Sequence, residues 1–496
     1  MQLYVCEPHI VDVEIDISNG LHAFSIVGLP DKATEEAKDR ISAAIKNSGF
    51  PSPKSKNQKL VISLAPAEIR KEGANFDLAM ALAYLLSTSA INFDPKDKVF
   101  LGELSLDGSV RPIKGALPLI IGAKKKGIKE IFIPYQNKDE VLMVEDILIF
   151  PVSHLQEVAA HLNNRVINKS RNKENKEKEG RDEIVPLDPL PFVHSKRPID
   201  IDFKDIKGQE GAKRALEIAA AGGHNIMMYG PPGTGKTMLA RAFPYLLPNL
   251  SFDEMLEVTA IHSSVKHEIG IITHPPFRAP HHSASFTSIV GGGSFPRPGE
   301  VTLAHKGVLF MDEFPEFDLR VIDSLRQPLE DKSVIISRAK SSIVFPSDFI
   351  LVASMNPCPC GFRGSRVKEC ICSVAAIQRY QRKLSGPIVD RIDIWIEVSE
   401  IDYKKLGAKE ENETTESMRR RIVEARTINE KKRSESLLSD SCRKLLDTSA
   451  KALALSARAY YKVAKLARTI ADLDGKENVE ESHILEALQY RPRILK

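Results

Sequence analysis

Apolar and polar residues alternate along the chain in patterns that predict three regions of different architecture. Within residues 11–162, short apolar runs alternate with amphipathic helical patterns, which predicts an α/β domain. Within residues 202–398 the two patterns alternate again, as a parallel sheet with crossover connections requires. After Glu400 only helical periodicity remains, which predicts a helical C-terminal domain.

A change in composition separates the first two regions. Residues 165–198 are rich in charge and proline and cannot bury an apolar face, so they are expected to form an interdomain linker. The predicted organisation is an α/β domain at 1–164, a charged flexible linker at 165–199, an α/β core at 200–398 with a cysteine-rich insert at 358–372, and a helical domain at 399–496.

The overall composition is that of a globular protein. At about 100–200 residues per domain, a chain of 496 residues suggests two to four domains. The N-terminus lacks a secretory signal and the apolar runs are too short to span a bilayer, which predicts a cytoplasmic protein without a membrane partner. A net charge of +4 neither indicates nor excludes nucleic acid as a partner.

A complete phosphate-binding loop, GPPGTGKT, lies between the strand-like NIMMY and the helical MLARAFPYLL. In such a loop backbone amides surround the phosphates, the lysine reaches the β and γ phosphates, and the hydroxyl that follows it ligates magnesium. The helix N-terminus adds partial positive charge beneath the phosphates. We therefore predict ATP and Mg²⁺ as cofactors, held by Gly230, Pro231, Pro232, Gly233, Thr234, Gly235, Lys236 and Thr237.

Two further strand-like runs end on polar groups suited to hydrolysis. GVLFMDE ends on Asp312, a predicted nucleotide-binding residue and magnesium ligand, and on Glu313, which is predicted to polarise the attacking water. FILVASMN ends on Asn356, which is predicted to orient that water beside the γ phosphate.

Phosphoryl transfer also needs an arginine, which a neighbouring subunit can supply. Arg391 lies between two aspartates in GPIVDRIDIWIEV, and Arg458 lies at the start of a predicted helix in LSARAYYK. The spacing alone leaves open whether they are catalytic or form ordinary surface ion pairs.

Longer phrases carry a family resemblance. They include NGLHAFSIVGLPD, FRAPHHSAS, VGGGSFPRPGEVTL, AHKGVLFMDE, NPCPCGF, LSGPIVDRID and SARAYYKVAKLARTIADLDG. Over almost its entire length the chain resembles the magnesium-chelatase-like AAA+ proteins of the ComM/YifB type. The resemblance implies an α/β AAA+ P-loop core with a C-terminal helical lid, preceded by a degenerate α/β domain similar to the Lon protease domain (ribosomal S5 domain 2-like).

The resemblance also implies roles for particular residues. Arg391 matches the arginine finger and Arg458 the sensor-2 arginine, in a homo-hexameric ring with ATP between subunits. Residues 202–210 match the segment near the adenine. A helix-2 insertion within 267–302 and a pre-sensor-1 hairpin at 333–345 would face the central pore, where Arg338 and Lys340 either contact DNA phosphates or form a solvated turn.

The function that the resemblance implies is an ATP-driven DNA translocase or helicase that promotes branch migration during natural transformation, alongside the recombination machinery. Three alternatives remain open: the ATPase subunit of a metal chelatase, a Lon-like protease, and an ATP-gated assembly scaffold.

The N-terminal domain departs from the Lon pattern at both catalytic positions. KEGANFD places Asn75 where the nucleophilic serine belongs, and Leu117 falls at the position of the lysine base. Peptide hydrolysis is therefore expected to be absent, and a scaffold or DNA-binding collar is expected instead. The family pattern begins about one strand earlier, which points to a late start at Met1.

Four cysteines crowd into CPCGFRGSRVKECIC. Cys358, Cys360, Cys370 and Cys372 can close a tetrahedral zinc site, and reduced, unliganded thiols are the alternative. A metal here would stiffen the connection to the hydrolysis site or present Arg363, Arg366 and Lys368 to DNA.

Overall fold

In a computed structural model, the chain divides into two compact units. The first comprises Met1–Val193 and Leu256–Ile272, and the second His194–Met255 and Thr273–Lys496. The structure describes residues 2–4, 7–55, 57–67, 71, 73–170, 184–189, 197–265, 271–293, 297–338, 341–365, 368–400, 412–431 and 438–492. Lys340, Arg366, the Arg338 side chain and linker residues 171–183 and 190–196 lie outside these descriptions.

The first unit is an α/β arrangement with two three-stranded sheets. In one sheet the strands lie in the order β3 (Asp12–Asn19), β5 (Gln58–Ala65) and β4 (Ala23–Val27). In the other the order is β10 (Leu148–Val152), β9 (Glu130–Pro134) and β6 (Lys98–Phe100). Its elements are β1 (Gln2–Tyr4), β2 (Glu7–His9), β3 (Asp12–Asn19), β4 (Ala23–Val27), α1 (Lys32–Asn47), β5 (Gln58–Ala65), α2 (Asp77–Ser87), β6 (Lys98–Phe100), β7 (Glu103–Leu104), β8 (Val110–Arg111), α3 (Ala116–Lys125), β9 (Glu130–Pro134), β10 (Leu148–Val152) and α4 (Leu155–Ser170).

Helix α4 corrects one predicted boundary. It continues to Ser170, so residues 165–170 are helical, although the sequence was expected to enter the linker at residue 165. Arginine and lysine are good helix formers, and charge by itself does not end a helix. The predicted linker was also expected to bury no apolar face, but Ile184 is buried in the core of the first unit and its N–H donates to His161 Nδ1 at 3.1 Å. The other predicted domain limits stay predictions.

The second unit is built on a five-stranded parallel sheet. Its strands lie in the order β12 (Phe277–Arg278), β15 (Val308–Met311), β18 (Ile350–Met355), β11 (Ile226–Tyr229) and β19 (Ile394–Glu397). Strand β18 is buried along its whole length, in keeping with a sequence that is apolar except for Ser354. The elements of this core are α5 (Glu210–Gly222), β11 (Ile226–Tyr229), α6 (Lys236–Ala242), β12 (Phe277–Arg278), α8 (Phe286–Val290), β13 (Gly291–Gly292), β14 (Arg297–Pro298), α9 (Glu300–Leu303), β15 (Val308–Met311), α10 (Leu319–Ser324), α11 (Arg326–Asp331), β16 (Ser333–Arg338), β17 (Ser341–Pro346), β18 (Ile350–Met355), α12 (Val374–Gln381), α13 (Gly386–Val389) and β19 (Ile394–Glu397). Helix α7 (Phe252–Ser263) begins in the second unit, and its residues from Leu256 onward belong to the first.

The predicted hairpin at 333–345 is present. Strands β16 and β17 pair antiparallel, with Arg338 opposite Ser341 at the described end. Separately, β13 and β14 form a short antiparallel pair within the predicted helix-2 insertion. Arg278, at the end of β12, donates to both carboxylate oxygens of Glu300, at 2.6 and 2.7 Å, and so links two segments within that insertion.

Four helices follow the sheet: α14 (Thr415–Lys431), α15 (Asp440–Leu453), α16 (Ala457–Leu473) and α17 (Glu481–Gln489). The side chains of Ser439 and Ser456 cap α15 and α16. Buried residues of all four helices share one core with α5 and the sheet. None of the helices described in either unit is long and apolar enough to cross a membrane.

Candidate active site

The phosphate-binding loop follows the carboxyl end of β11, as predicted. Gly230 begins it, and a Cβ at this position would lie 2.1 Å from the carbonyl oxygen of Val398. Only glycine therefore lets this loop pass so close to the end of β19. Helix α6 begins at Lys236, directly after the left-handed Gly235.

The ammonium group of Lys236 is held inside the loop. Its Nζ donates to the carbonyl oxygens of Gly230 and Pro231, both at 2.7 Å, and lies 3.4 Å from Oδ1 of Asn356. Burial lowers the pKa of Lys236 to about 8, against the opposing effect of the Asp312 and Glu313 carboxylates. A polyphosphate bound at this loop would favour the charged form.

The order of the strands explains why distant residues meet. Because β18 lies between β11 and β15, Asn356 at its carboxyl end falls between the phosphate loop and Asp312. Thr237 Oγ1 donates to Asp312 Oδ2 at 2.9 Å. A hydroxyl and a carboxylate side by side are the oxygen ligands that Mg²⁺ prefers, so the residues fit the predicted ion.

Sequence reasoning missed Ser354, whose hydroxyl donates to Asp312 Oδ1. Ser354 is buried, and it shares a strand face with Asn356 because the two residues are two positions apart. A polar residue two positions before the predicted Asn356 was the available signal. Its hydrogen bond fixes the carboxylate that faces Thr237.

Glu313 turns away from β15 in a left-handed backbone conformation, with φ of 52°. Its side chain is half-exposed, so water can reach the carboxylate. Oε2 lies 3.3 Å from Nδ1 of His282, and the His282 ring packs edge-on against Phe317. His282 lies in the FRAPHHSAS phrase, but the sequence did not indicate this contact.

The structure brings the two candidate arginines together on a single acid. The Arg391 guanidinium pairs with Glu330, and Arg458 Nη2 lies 3.2 Å from Oε1 of the same side chain. The two guanidinium groups lower the pKa of Glu330, with the Arg391 hydrogen bond as the largest cause. Glu330 was not predicted.

Arg391 lies at the amino ends of the parallel strands, whereas the phosphate loop lies at their carboxyl ends. It precedes β19, and its carbonyl oxygen accepts a 3.2 Å hydrogen bond from Asn225, which precedes β11. Five residues of extended chain, roughly 16 Å, separate Asn225 from Gly230. The fold therefore sets Arg391 and its neighbour Arg458 apart from the phosphate loop of their own chain.

A cavity of about 490 Å³ opens beside the two arginines. Seven basic and three acidic residues line it, so its net charge favours an anion. The basic residues are Lys306, Lys332, Arg391, Arg426, Arg458, Lys462 and Lys465. Lys462 pairs with Asp393 at 2.6 Å.

The four predicted cysteines converge. Their sulfur atoms all lie within 4.8 Å of one another, and the Cys358–Cys360, Cys358–Cys370 and Cys360–Cys370 separations are 3.4, 3.6 and 3.6 Å. With Zn–S bonds of about 2.3 Å, a tetrahedral site places its sulfurs about 3.8 Å apart. The arrangement therefore fits a tetrahedral metal.

Two other predicted segments are described. Gln209, in the segment expected near the adenine, donates to the carbonyl oxygens of Thr234 at 3.3 Å and Ser399 at 2.6 Å. Leu117 is fully buried in α3, and the Asn75 carbonyl oxygen accepts from Gly102 N–H. The absence of peptidase activity stays a prediction.

Known proteins match the chain over nearly its whole length. The family models "Subunit ChlI of Mg-chelatase", "Magnesium chelatase, subunit ChlI" and "Magnesium chelatase, subunit ChlI C-terminal" match residues 13–137, 202–406 and 412–491. Competence protein ComM of Haemophilus influenzae is 38% identical over 503 residues, covering 98% of this chain and 95% of that protein. The chain belongs to the ComM/YifB family of magnesium-chelatase-like AAA+ proteins.

Two other relatives match very different shares of this chain. The uncharacterized protein YifB of Escherichia coli is 38% identical, over 97% of this chain and 94% of that protein. The magnesium-chelatase 67 kDa subunit of Chlorobaculum parvum is 31% identical, over 32% of this chain and 23% of the subunit. The predicted family and the AAA+ core with its helical domain are confirmed, and the family implies an ATPase.

Proposed function

We propose that this ATPase is a ring-forming DNA translocase or helicase that promotes branch migration of recombination intermediates during natural transformation. The observation that carries the proposal is the position of Arg391 and Arg458. They lie near the amino ends of the parallel strands, whereas the phosphate loop lies at the carboxyl ends. An ATPase built in this way needs a second subunit to complete each site. Repeating that head-to-tail contact closes a ring, and the family resemblance favours six subunits.

Each residue of the site then has a chemical role. Lys236 and the loop amides hold the phosphates, while Thr237 and Asp312 hold Mg²⁺, which neutralises charge on the phosphate oxygens. Glu313 accepts a proton from the attacking water as Asn356 orients it. The Arg391 and Arg458 guanidiniums from the adjacent subunit stabilise the charge that builds on the transferred phosphoryl group.

DNA as the substrate rests on similarity. The Haemophilus relative is named a competence protein, and it matches nearly the whole chain. The paired strands β16 and β17 provide the hairpin that would reach into a central pore, with Arg338 near its end. The metal-chelatase alternative has less support. The match to the chelatase subunit of Chlorobaculum covers 32% of this chain, whereas the match to the competence protein covers 98%.

The test of this proposal is ATP hydrolysis measured with and without forked and three-way DNA, alongside displacement of a labelled strand. We expect branched DNA to raise turnover several-fold and the labelled strand to be released only with ATP. Binding to DNA should weaken steeply with salt, because phosphate contacts release counterions. If branched DNA does not change ATP turnover and the labelled strand is not displaced, the translocase proposal is wrong. An ATP-gated scaffold then becomes the better interpretation.

We also propose that the four cysteines hold a structural Zn²⁺. Metal analysis of the purified protein should give about one zinc per chain, as a closed four-thiolate site requires. Cys358→Ser should lose most of this zinc. Cys442→Ser is the matched control, since Cys442 is also buried but lies in α15 and donates to the Val479 carbonyl oxygen. Substoichiometric zinc in the parent protein would reject the site.

A further inference from the structure

The cysteine insert is attached at both ends to the hydrolysis site. Cys358 follows the predicted water-orienting Asn356 by two residues, and Cys372 directly precedes Ser373, whose side chain caps α12. Burial raises the pKa of the Tyr380 hydroxyl in α12, and the nearby Asn356 backbone opposes that shift, which places the hydroxyl close to Asn356. A shift of the insert would therefore act on Asn356 from two directions.

The first turn of the insert also rests on the phosphate loop. Gly361 donates its N–H to the Cys358 carbonyl oxygen at 2.9 Å and has a left-handed φ of 83°. A Cβ at Gly361 would lie 2.9 Å from Cδ of Pro232 and 3.8 Å from Cγ of Asn356. The backbone of this turn therefore fills the space between the phosphate loop and Asn356.

The insert has little apolar burial with which to hold that turn in place. Cys358 is fully buried, whereas Ile371 is 85% exposed. In the parts of 358–372 that the structure describes, there is no helix or strand. A segment of this size without an apolar core depends on a metal or another crosslink for a fixed shape.

We propose that a metal ion at Cys358, Cys360, Cys370 and Cys372 seats the Gly361 turn against Pro232 and Asn356, so that metal occupancy controls the rate of ATP hydrolysis. The inference rests on the proposed Zn²⁺ and on the ATPase activity, and it is independent of DNA. The metal acts through position alone, by fixing the loop and the asparagine that hold phosphate and water. Misplacing such groups by about 1 Å costs on the order of 100-fold in rate.

Two glycines of the insert allow a matched test. Gly361 and Gly364 have nearly the same φ, 83° and 81°, so alanine introduces similar backbone strain at either position. Among the residues that the structure describes, a Cβ at Gly364 meets no atom within 4 Å, whereas at Gly361 it meets Pro232. Comparing the two variants therefore distinguishes the effect of backbone strain in the insert from the effect of a steric clash with Pro232 in the phosphate loop.

The experiment compares G361A and G364A with the parent protein, without DNA, for zinc content, affinity for a fluorescent ATP analogue and ATP turnover. We expect both variants to keep zinc. G361A should lose roughly 10- to 100-fold in turnover and bind the analogue more weakly, because Pro232 or Asn356 must move. G364A should stay within about twofold of the parent on both measures.

The parent is also stripped of zinc with a zinc-selective chelator, with Mg²⁺ in excess, and then reloaded. We expect the metal-free protein to lose turnover by at least about tenfold and zinc to restore it. Undiminished turnover without zinc, or equal losses in G361A and G364A, would overturn the inference. A parent that hydrolyses ATP but displaces no DNA strand would instead count against the translocase alone.

Discussion

Glu313→Gln is expected to bind ATP with the affinity of the parent and to hydrolyse it about 10²–10⁴-fold more slowly. Glutamine keeps the size and hydrogen-bonding capacity of the side chain but cannot accept a proton from the attacking water. The proposed phosphate and magnesium contacts come from Lys236, Thr237 and Asp312, which the substitution leaves in place. The measurements are steady-state phosphate release and binding of a fluorescent ATP analogue.

Glu316→Gln serves as the control for the loss of one negative charge near the site. Glu316 is exposed and pairs with Lys383 at 3.0 Å on the protein surface. An exposed ion pair contributes little, so this variant should keep nearly the parent rate. If Glu313→Gln hydrolysed ATP as fast as Glu316→Gln, Glu313 would have no role in activating water.

The elements that carry the chemistry were predictable because each has a strong local pattern. The phosphate loop, the strand before Asp312 and the strand before Asn356 combine continuous apolar runs with polar ends, which fixes both the element and the position of the functional side chain. Sheet order then follows the confirmed fold class, and it brings Lys236, Thr237, Asp312 and Asn356 together.

The contacts that sequence reasoning missed all depend on tertiary structure. His282 reaches Glu313, and Glu330 reaches Arg391, from segments far away along the chain, and neither residue belongs to a motif whose spacing reveals its partner. Within the C-terminal domain the sequence predicts helices at 416–432, 456–473 and 479–489, and helix α15 was missed for a local reason. The segment DSCRKLLDTSAKAL contains two aspartates, two serines and a threonine, which favour caps and turns over helix interiors.

Arg391→Ala is expected to lower ATP turnover by about 10³–10⁵-fold, the range found when a transition-state arginine is lost. ATP binding should change little, because the phosphate loop of the same chain lies at the carboxyl ends of the strands, away from Arg391 at their amino ends. Glu330 would lose one of its two guanidinium partners and keep Arg458 at 3.2 Å, so the fold is expected to survive. Circular dichroism and the thermal midpoint would check that it does.

Mixing equal amounts of two inactive variants, Lys236→Ala and Arg391→Ala, tests whether Arg391 acts on its own subunit or on the next. Lys236→Ala loses the phosphate ligand but keeps Arg391, and Arg391→Ala has the opposite defect, so each protein alone should be nearly inactive. In a randomly mixed ring, about a quarter of the head-to-tail contacts pair an intact loop with an intact arginine, and turnover should recover towards that fraction. If Arg391 served its own loop, every subunit in the mixture would carry a defect and no activity would return. Recovery would thus locate the finger in the neighbouring subunit, as the Asn225 hydrogen bond at the far end of β11 requires.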